Sequence, residues 1–266
     1  MRRRPYTGVW TLLAVSLAAF VALSQVSRRT PLSFWGLDWQ YVSFWEELTA
    51  APDLVPPEEE LALTDTVPAE CGEKIETDTV PKNILFIGDS MLEGLGPRLA
   101  AYAKLNGHKL NTVIWYSSTS EVWGRCDTLS HFIRRFKPDY IFVCLGSNEL
   151  FVRDIITKRA SCVDHILEQI GDIPYVWIGP PNWKPDTGIN QLVSSKAARG
   201  TYFMSDGMHF DRTKDGAHPT RRSAGLWMDS VARWMPENCA HPILMEMPPA
   251  DEKGKANSVT VLQPAK

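Results

Sequence analysis

The segment ILFIGDS, residues 84–90, is an unbroken apolar run that stops at a glycine, an aspartate and a serine. A short run of this kind fits a strand covered on both faces. Four more follow: LNTVIWY (110–116), YIFVCLG (140–146), YVWIG (175–179) and TYFMS (201–205). Between them lie longer helical patterns, around 97–105, 125–136, 150–170 and 187–198, with a last one at 221–235. That last stretch sets Ala224, Trp227, Met228, Val231, Trp234 and Met235 at the spacing of one core-facing helical stripe. Strands alternating with helices predict an α/β fold, a five-stranded parallel sheet with helices on both faces. Ligands of such sheets sit at the carboxyl ends of the strands.

Outside this block, 81–239, the chain changes character. Arg2, Arg3 and Arg4 precede 23 uncharged residues, Pro5 to Ser27, and then Arg28 and Arg29. The apolar stretch within it suits a membrane-spanning signal anchor, and it also suits the core of a cleaved signal peptide. Residues 1–30 are therefore expected to be a signal anchor or transmembrane helix, or a leader removed on export. The basic amino end favours a cytoplasmic start, which puts the remainder in a periplasm-like space, or secretes it if the leader is cleaved. Residues 31–80 read as an aromatic juxtamembrane segment followed by a tether. Its first part, FWGLDWQYVSFWEEL (34–48), fits the membrane–water interface or a short packed helix. Residues 240–266 read as a flexible tail.

Composition narrows the field. The 266 residues carry 28 Lys+Arg against 31 Asp+Glu, so there is no basic field to hold nucleic acid. Five cysteines match no zinc spacing and are too few for a disulfide scaffold, although an oxidising compartment permits pairs. Cys71 with Cys239 and Cys126 with Cys162 are the candidate pairs, whereas Cys144 sits in an apolar strand as a small hydrophobe.

Three strand-end motifs carry chemistry. Ser90 stands where the first strand turns toward a helix, with its hydroxyl exposed. Gly146-Ser147-Asn148-Glu149 ends the third strand and offers the Asn148 amide as a hydrogen-bond donor. The loop Lys214-Asp215-Gly216-Ala217-His218-Pro219 precedes the last helix. A carboxylate three residues from a histidine can hold its Nδ1–H and leave Nε2 as a base. Taken singly, each motif also reads as a turn or helix cap. On one sheet edge they supply a nucleophile, a base with its orienter and an oxyanion donor. A second Asp-Gly-x-His, Asp206 to His209, runs into FDRTK and reads as part of the rim.

The combination resembles the SGNH (GDSL-type) esterase and acyltransferase superfamily over about residues 81–238. The resemblance implies a three-layer flavodoxin-like fold and a catalytic triad of Ser90, His218 and Asp215. It also implies an oxyanion hole from the Ser90 N–H, the Asn148 amide and a backbone N–H after the second strand, for which Ser120 is the nearest match. The family commonly has glycine there and aspartate rather than Glu149 after the asparagine. The G-x-S-x-G elbow of α/β-hydrolases is absent from the sequence.

The resulting expectation is an extracytoplasmic serine esterase or O-acyltransferase acting on acyl groups, acetyl foremost, of cell-envelope or exported polysaccharide. Trp123 and Trp183, which follow the second and fourth strands, could stack on sugar rings or simply pack, and His209 could line the rim. The alternatives are a lipase- or thioesterase-like hydrolase of acyl chains, or a non-catalytic subunit that keeps the fold. No metal or organic cofactor is implied.

Overall fold

The computed structural model describes residues 32–34, 37–39 and 75–264. Two units divide the chain, Met1–Ala69 and Glu70–Lys266. In the first, strands β1 (Leu32–Phe34) and β2 (Leu37–Trp39) pair antiparallel, with Leu32 opposite Trp39 and Phe34 opposite Leu37. A strand pair thus stands where part of the aromatic segment was expected to be a helix. The anchor expected over residues 1–30 lies outside the described residues. Among those described, no helix is long and apolar enough to cross a membrane.

The second unit runs β3 (Asn83–Gly88), α1 (Leu92–Leu105), β4 (Lys109–Trp115), α2 (Ser120–Gly124), α3 (Thr128–Phe136) and β5 (Tyr140–Cys144). It continues with α4 (Ile155–Ile170), β6 (Tyr175–Ile178), α5 (Ile189–Lys196), β7 (Tyr202–Phe203), α6 (Arg221–Asn238) and β8 (Ser258–Leu262). All six strands β3 to β8 are parallel, in the order β7-β6-β5-β3-β4-β8. The first five carry the doubly wound order, with β3 central and the chain reversing direction across the sheet beside it. Alternate residues of β3 feed opposite cores. Ile84 and Phe86 join Leu92, Leu95, Trp227, Met228 and Val231 on the α1/α6 face. Leu85 and Ile87 join Phe132, Val163, Ile166 and Leu192 on the α3/α4/α5 face. This two-sided burial explains the near-continuous apolar strands.

The sheet has six strands rather than five, and the correction comes from the carboxyl end. Residues 240–264 are not a free tail. Asn257 N–H donates to Leu110 O and the Asn257 side chain accepts from Leu110 N–H, both at 2.7 Å, setting β8 beside β4. β8 is an edge strand with Val259 57% and Val261 46% exposed, so its sequence lacks the continuous apolar signature of the inner strands. The helix expected over 125–136 is also broken: α2 ends before Arg125 and α3 starts at Thr128.

Cys126 and Cys162 are both free thiols, so the expected bond between them is not made. The Cys126 thiol instead meets the Val122 carbonyl and Thr128 hydroxyl, each at 3.1 Å. Cys144 is buried, as its strand implied. Cys239 is buried beside the Tyr140 hydroxyl, 3.6 Å away, while Cys71 lies outside the described residues.

Deleting residues 248–266 is expected to cost on the order of 3–5 kcal/mol. It removes the β8 ladder and strips acceptors from the buried Arg98 guanidinium. Urea titration of the truncated and full-length chains measures the difference, and superimposable curves would return the tail to a dispensable appendage.

Candidate active site

Ser90 follows β3 directly. Gly88, its neighbour but one, has no room for a side chain: a Cβ there would lie 2.2 Å from the Cys144 carbonyl oxygen. The glycine lets β3 and β5 close up just below the serine. Ser90 Oγ lies 2.8 Å from His218 Nε2, and His218 Nδ1 lies 2.6 Å from Asp215 Oδ2. The structure therefore brings together three residues that the sequence separates by 128 positions.

The loop that presents His218 is held by its own aspartate. Asp215 Oδ1 accepts from the Ala217 N–H, the His218 N–H and the Thr213 hydroxyl, at 2.9, 3.0 and 2.8 Å. The two backbone N–H bonds, followed by those from Thr213 and the His218 ring, hold this carboxyl well below the usual carboxylate range. An ionised carboxylate can only accept, so Nδ1 of His218 must donate and Nε2 is left to accept from Ser90. Arg212 braces the loop from behind, donating to the carbonyls of Ala217, Pro181 and Asn182. Nothing in the sequence pattern marked Arg212, because its partners are all main-chain oxygens.

The alternative pair is not formed. Asp206 accepts from the Asn182 amide and the Gly207 N–H, and His209 is exposed, outside the hollow beside Ser90.

Asn148 sits across from Ser90 at the end of β5, its amide donating to Ser118 O at 2.9 Å and to Asp89 Oδ2 at 3.3 Å. The N–H of Ser90 meets no backbone or side-chain acceptor among the described residues.

Ser120 does not take the position expected of it. It is fully buried, and its N–H and hydroxyl both donate to the Glu149 carboxylate, at 2.7 and 2.9 Å. A donor so engaged is unavailable to a substrate oxygen. Arg159 closes this polar knot, at 2.8 Å from Glu149 and 2.6 Å from Glu121. Glu149 is thus a buried tie between the β5 loop and the loop after β4. The sequence showed it only as a longer acid in place of aspartate, and gave no sign of Arg159.

Trp123 is also corrected. It is 0% exposed, its ring in the core and its Nε1 donating to the Ser118 hydroxyl, so it has no face for a sugar. Trp183 remains partly buried at the surface, with Nε1 on the Ser147 carbonyl at 2.8 Å and the Lys184 ammonium over its ring.

Behind the serine, the Asp89 carboxylate is fully buried and accepts from the Met91 N–H and the Ser147 hydroxyl as well as Asn148. Burial pushes its pKa up to about 6, with the Ser147 and Met91 hydrogen bonds working against the rise. An acid raised in the folded state contributes stability that is full below its unfolded value and is lost as pH climbs through about 6. That loss is on the order of 3 kcal/mol. Asn at this position has no such slope. The melting temperature of Asp89→Asn minus that of the unmodified chain is therefore expected to rise between pH 4.5 and 7. A difference that stays flat across this window would remove the burial effect from Asp89.

Beside Ser90 a hollow of about 810 Å³ opens between α1, the α6 start and the segment leading into β8.

No family model matches the chain, and neither does any curated protein. Similar solved structures include the psychrotrophic esterase EstA from Pseudoalteromonas sp., in a form inhibited by monoethylphosphonate. It is 17% identical, covering 57% of this chain and 97% of that one, with a TM-score of 0.40. A putative lipolytic protein of the G-D-S-L family from Desulfitobacterium hafniense DCB-2 is 14% identical, covering 57% and 98%, at 0.42. The salicylyl-acyltransferase SsfX3 of a tetracycline biosynthetic pathway is 19% identical, covering 59% and 55%, at 0.40.

Proposed function

We propose that this chain is an SGNH-type serine esterase or O-acyltransferase, working outside the cytoplasm on acyl, foremost acetyl, groups of cell-envelope or exported polysaccharide. The observation that carries the reading is the hydrogen-bonded series Asp215–His218–Ser90 at the carboxyl end of a parallel sheet. Ser90 Oγ attacks the acyl carbonyl while His218 Nε2 takes its proton. Asp215 holds the ring and balances the imidazolium charge. The tetrahedral oxyanion is met by the Ser90 N–H and by the Asn148 amide, which gives up its long 3.3 Å contact to Asp89. A donor of this kind is typically worth ~2.7–4 kcal/mol. His218 then returns the proton to the leaving alcohol, and water or a sugar hydroxyl takes the acyl group from Ser90. The extracytoplasmic setting rests on Arg2 to Arg4 and the apolar run behind them.

A fluorophosphonate probe tests the reading directly. It is expected to label the intact chain at Ser90 and to leave Ser90→Ala unlabelled, with acetyl-ester hydrolysis lost in parallel. Labelling that persists in Ser90→Ala would overturn the assignment.

A further inference from the structure

The hollow beside Ser90 has one wall that the doubly wound sheet does not need. Gly254, Lys255, Ala256 and Val259 line it, and all belong to the carboxyl-terminal segment. This segment is strapped onto α1 by a single buried arginine. Arg98, 4% exposed, donates from Nε to Asp229 at 2.7 Å. Its terminal nitrogens reach the carbonyls of Pro249, Glu252 and Pro248, at 2.8, 3.2 and 3.1 Å. Asp229 is fixed in turn by the Tyr102 hydroxyl at 2.8 Å. Gly254 N–H donates to Pro97 O at 2.8 Å, and a Cβ on Gly254 would lie 2.3 Å from the Ala100 carbonyl carbon. A planar fork spread over three carbonyls fixes the direction of the strap as well as its presence.

We propose that this strap is a specificity wall for the glycosyl part of the substrate, and that Arg98 is the positioning residue that holds it. The proposal rests on the esterase reading above and names the moiety that flanks the ester. The lining decides between a sugar and an alkyl chain. Leu92, Ile114 and Val259 offer apolar surface, while Glu93, Arg221 and Lys255 bring charge to the same hollow. A sugar ring has an apolar face and hydroxylated edges that suit both. An alkyl chain would lie against three charged side chains and gain nothing from them.

The test compares two substitutions in the full chain that loosen the strap by different routes. Arg98→Met removes the fork, and Gly254→Ala wedges the strap off α1 while leaving the buried arginine in place. Each is assayed on an acetylated xylo-oligosaccharide, on 4-nitrophenyl acetate and on 4-nitrophenyl octanoate. The expected result is a roughly tenfold fall in the ratio of kcat/KM for the sugar ester to that for the aryl acetate, carried by KM. A ratio that is unchanged in both variants overturns the wall, as does an equal fall on all three substrates. A fall confined to the octanoate overturns the sugar assignment. Ser90→Ala assayed alongside keeps the premise separate, since hydrolysis surviving there sinks the esterase reading and not the strap.

Discussion

Ser90→Ala and His218→Ala are each expected to lower kcat on small acetyl esters by about 10⁴–10⁶-fold, and the double variant to be no worse than either single one. Residues that act as one unit lose their joint effect with the first removal, and what remains comes from substrate positioning and the oxyanion donors. Asp215→Asn is expected to fall less far. The asparagine keeps an oxygen for the loop N–H groups that Asp215 now accepts, and loses the charge that fixes the ring tautomer. His209→Ala is expected to stay within a few-fold of the unmodified enzyme, because Asp206 bonds to Asn182 and not to its ring. Steady-state rates on 4-nitrophenyl acetate measure all of these. A multiplicative double variant would mean that Ser90 and His218 do not work as a pair.

The parts of this architecture that were legible in sequence are those buried on both sides. The runs at 84–88 and 140–144 had to be apolar at every position, since β3 and β5 feed two cores at once. The same burial fixed where the strands end, and hence where Ser90 and Asn148 stand. β8 was illegible for the opposite reason. SVTVL keeps one face in solvent, at the sheet edge, and its partner β4 lies more than a hundred residues upstream. The His218 loop could be read from its local Asp-x-x-His spacing, whereas the choice between two such spacings depended on which carboxylate the fold leaves facing a ring.

Ser120 and Trp123 failed as site residues through one cause. The loop after β4 turns inward, and what draws it in is Glu149, an acid that no periodicity distinguishes from a surface residue.

That cause gives the second large effect. Glu149→Ala is expected to destabilise the fold by about 3–5 kcal/mol, because the Ser120 N–H and hydroxyl lose their buried acceptor and Arg159 loses one of its two carboxylates. Glu149→Gln separates the two contributions. Its amide oxygen can still accept from Ser120, and Arg159 still reaches Glu121, so a loss of about 1–2 kcal/mol is expected. Kinetics should follow the loop rather than the charge. Ser118 O anchors the Asn148 amide, so a loop released from Glu149 leaves that donor unaimed. The alanine variant, assayed below its melting transition, should lose kcat more than KM, and the glutamine variant should keep most of both. Urea titration gives the stabilities. If glutamine and alanine prove equally damaging, the negative charge facing Arg159 holds the knot together, and the hydrogen bonds to Ser120 are incidental.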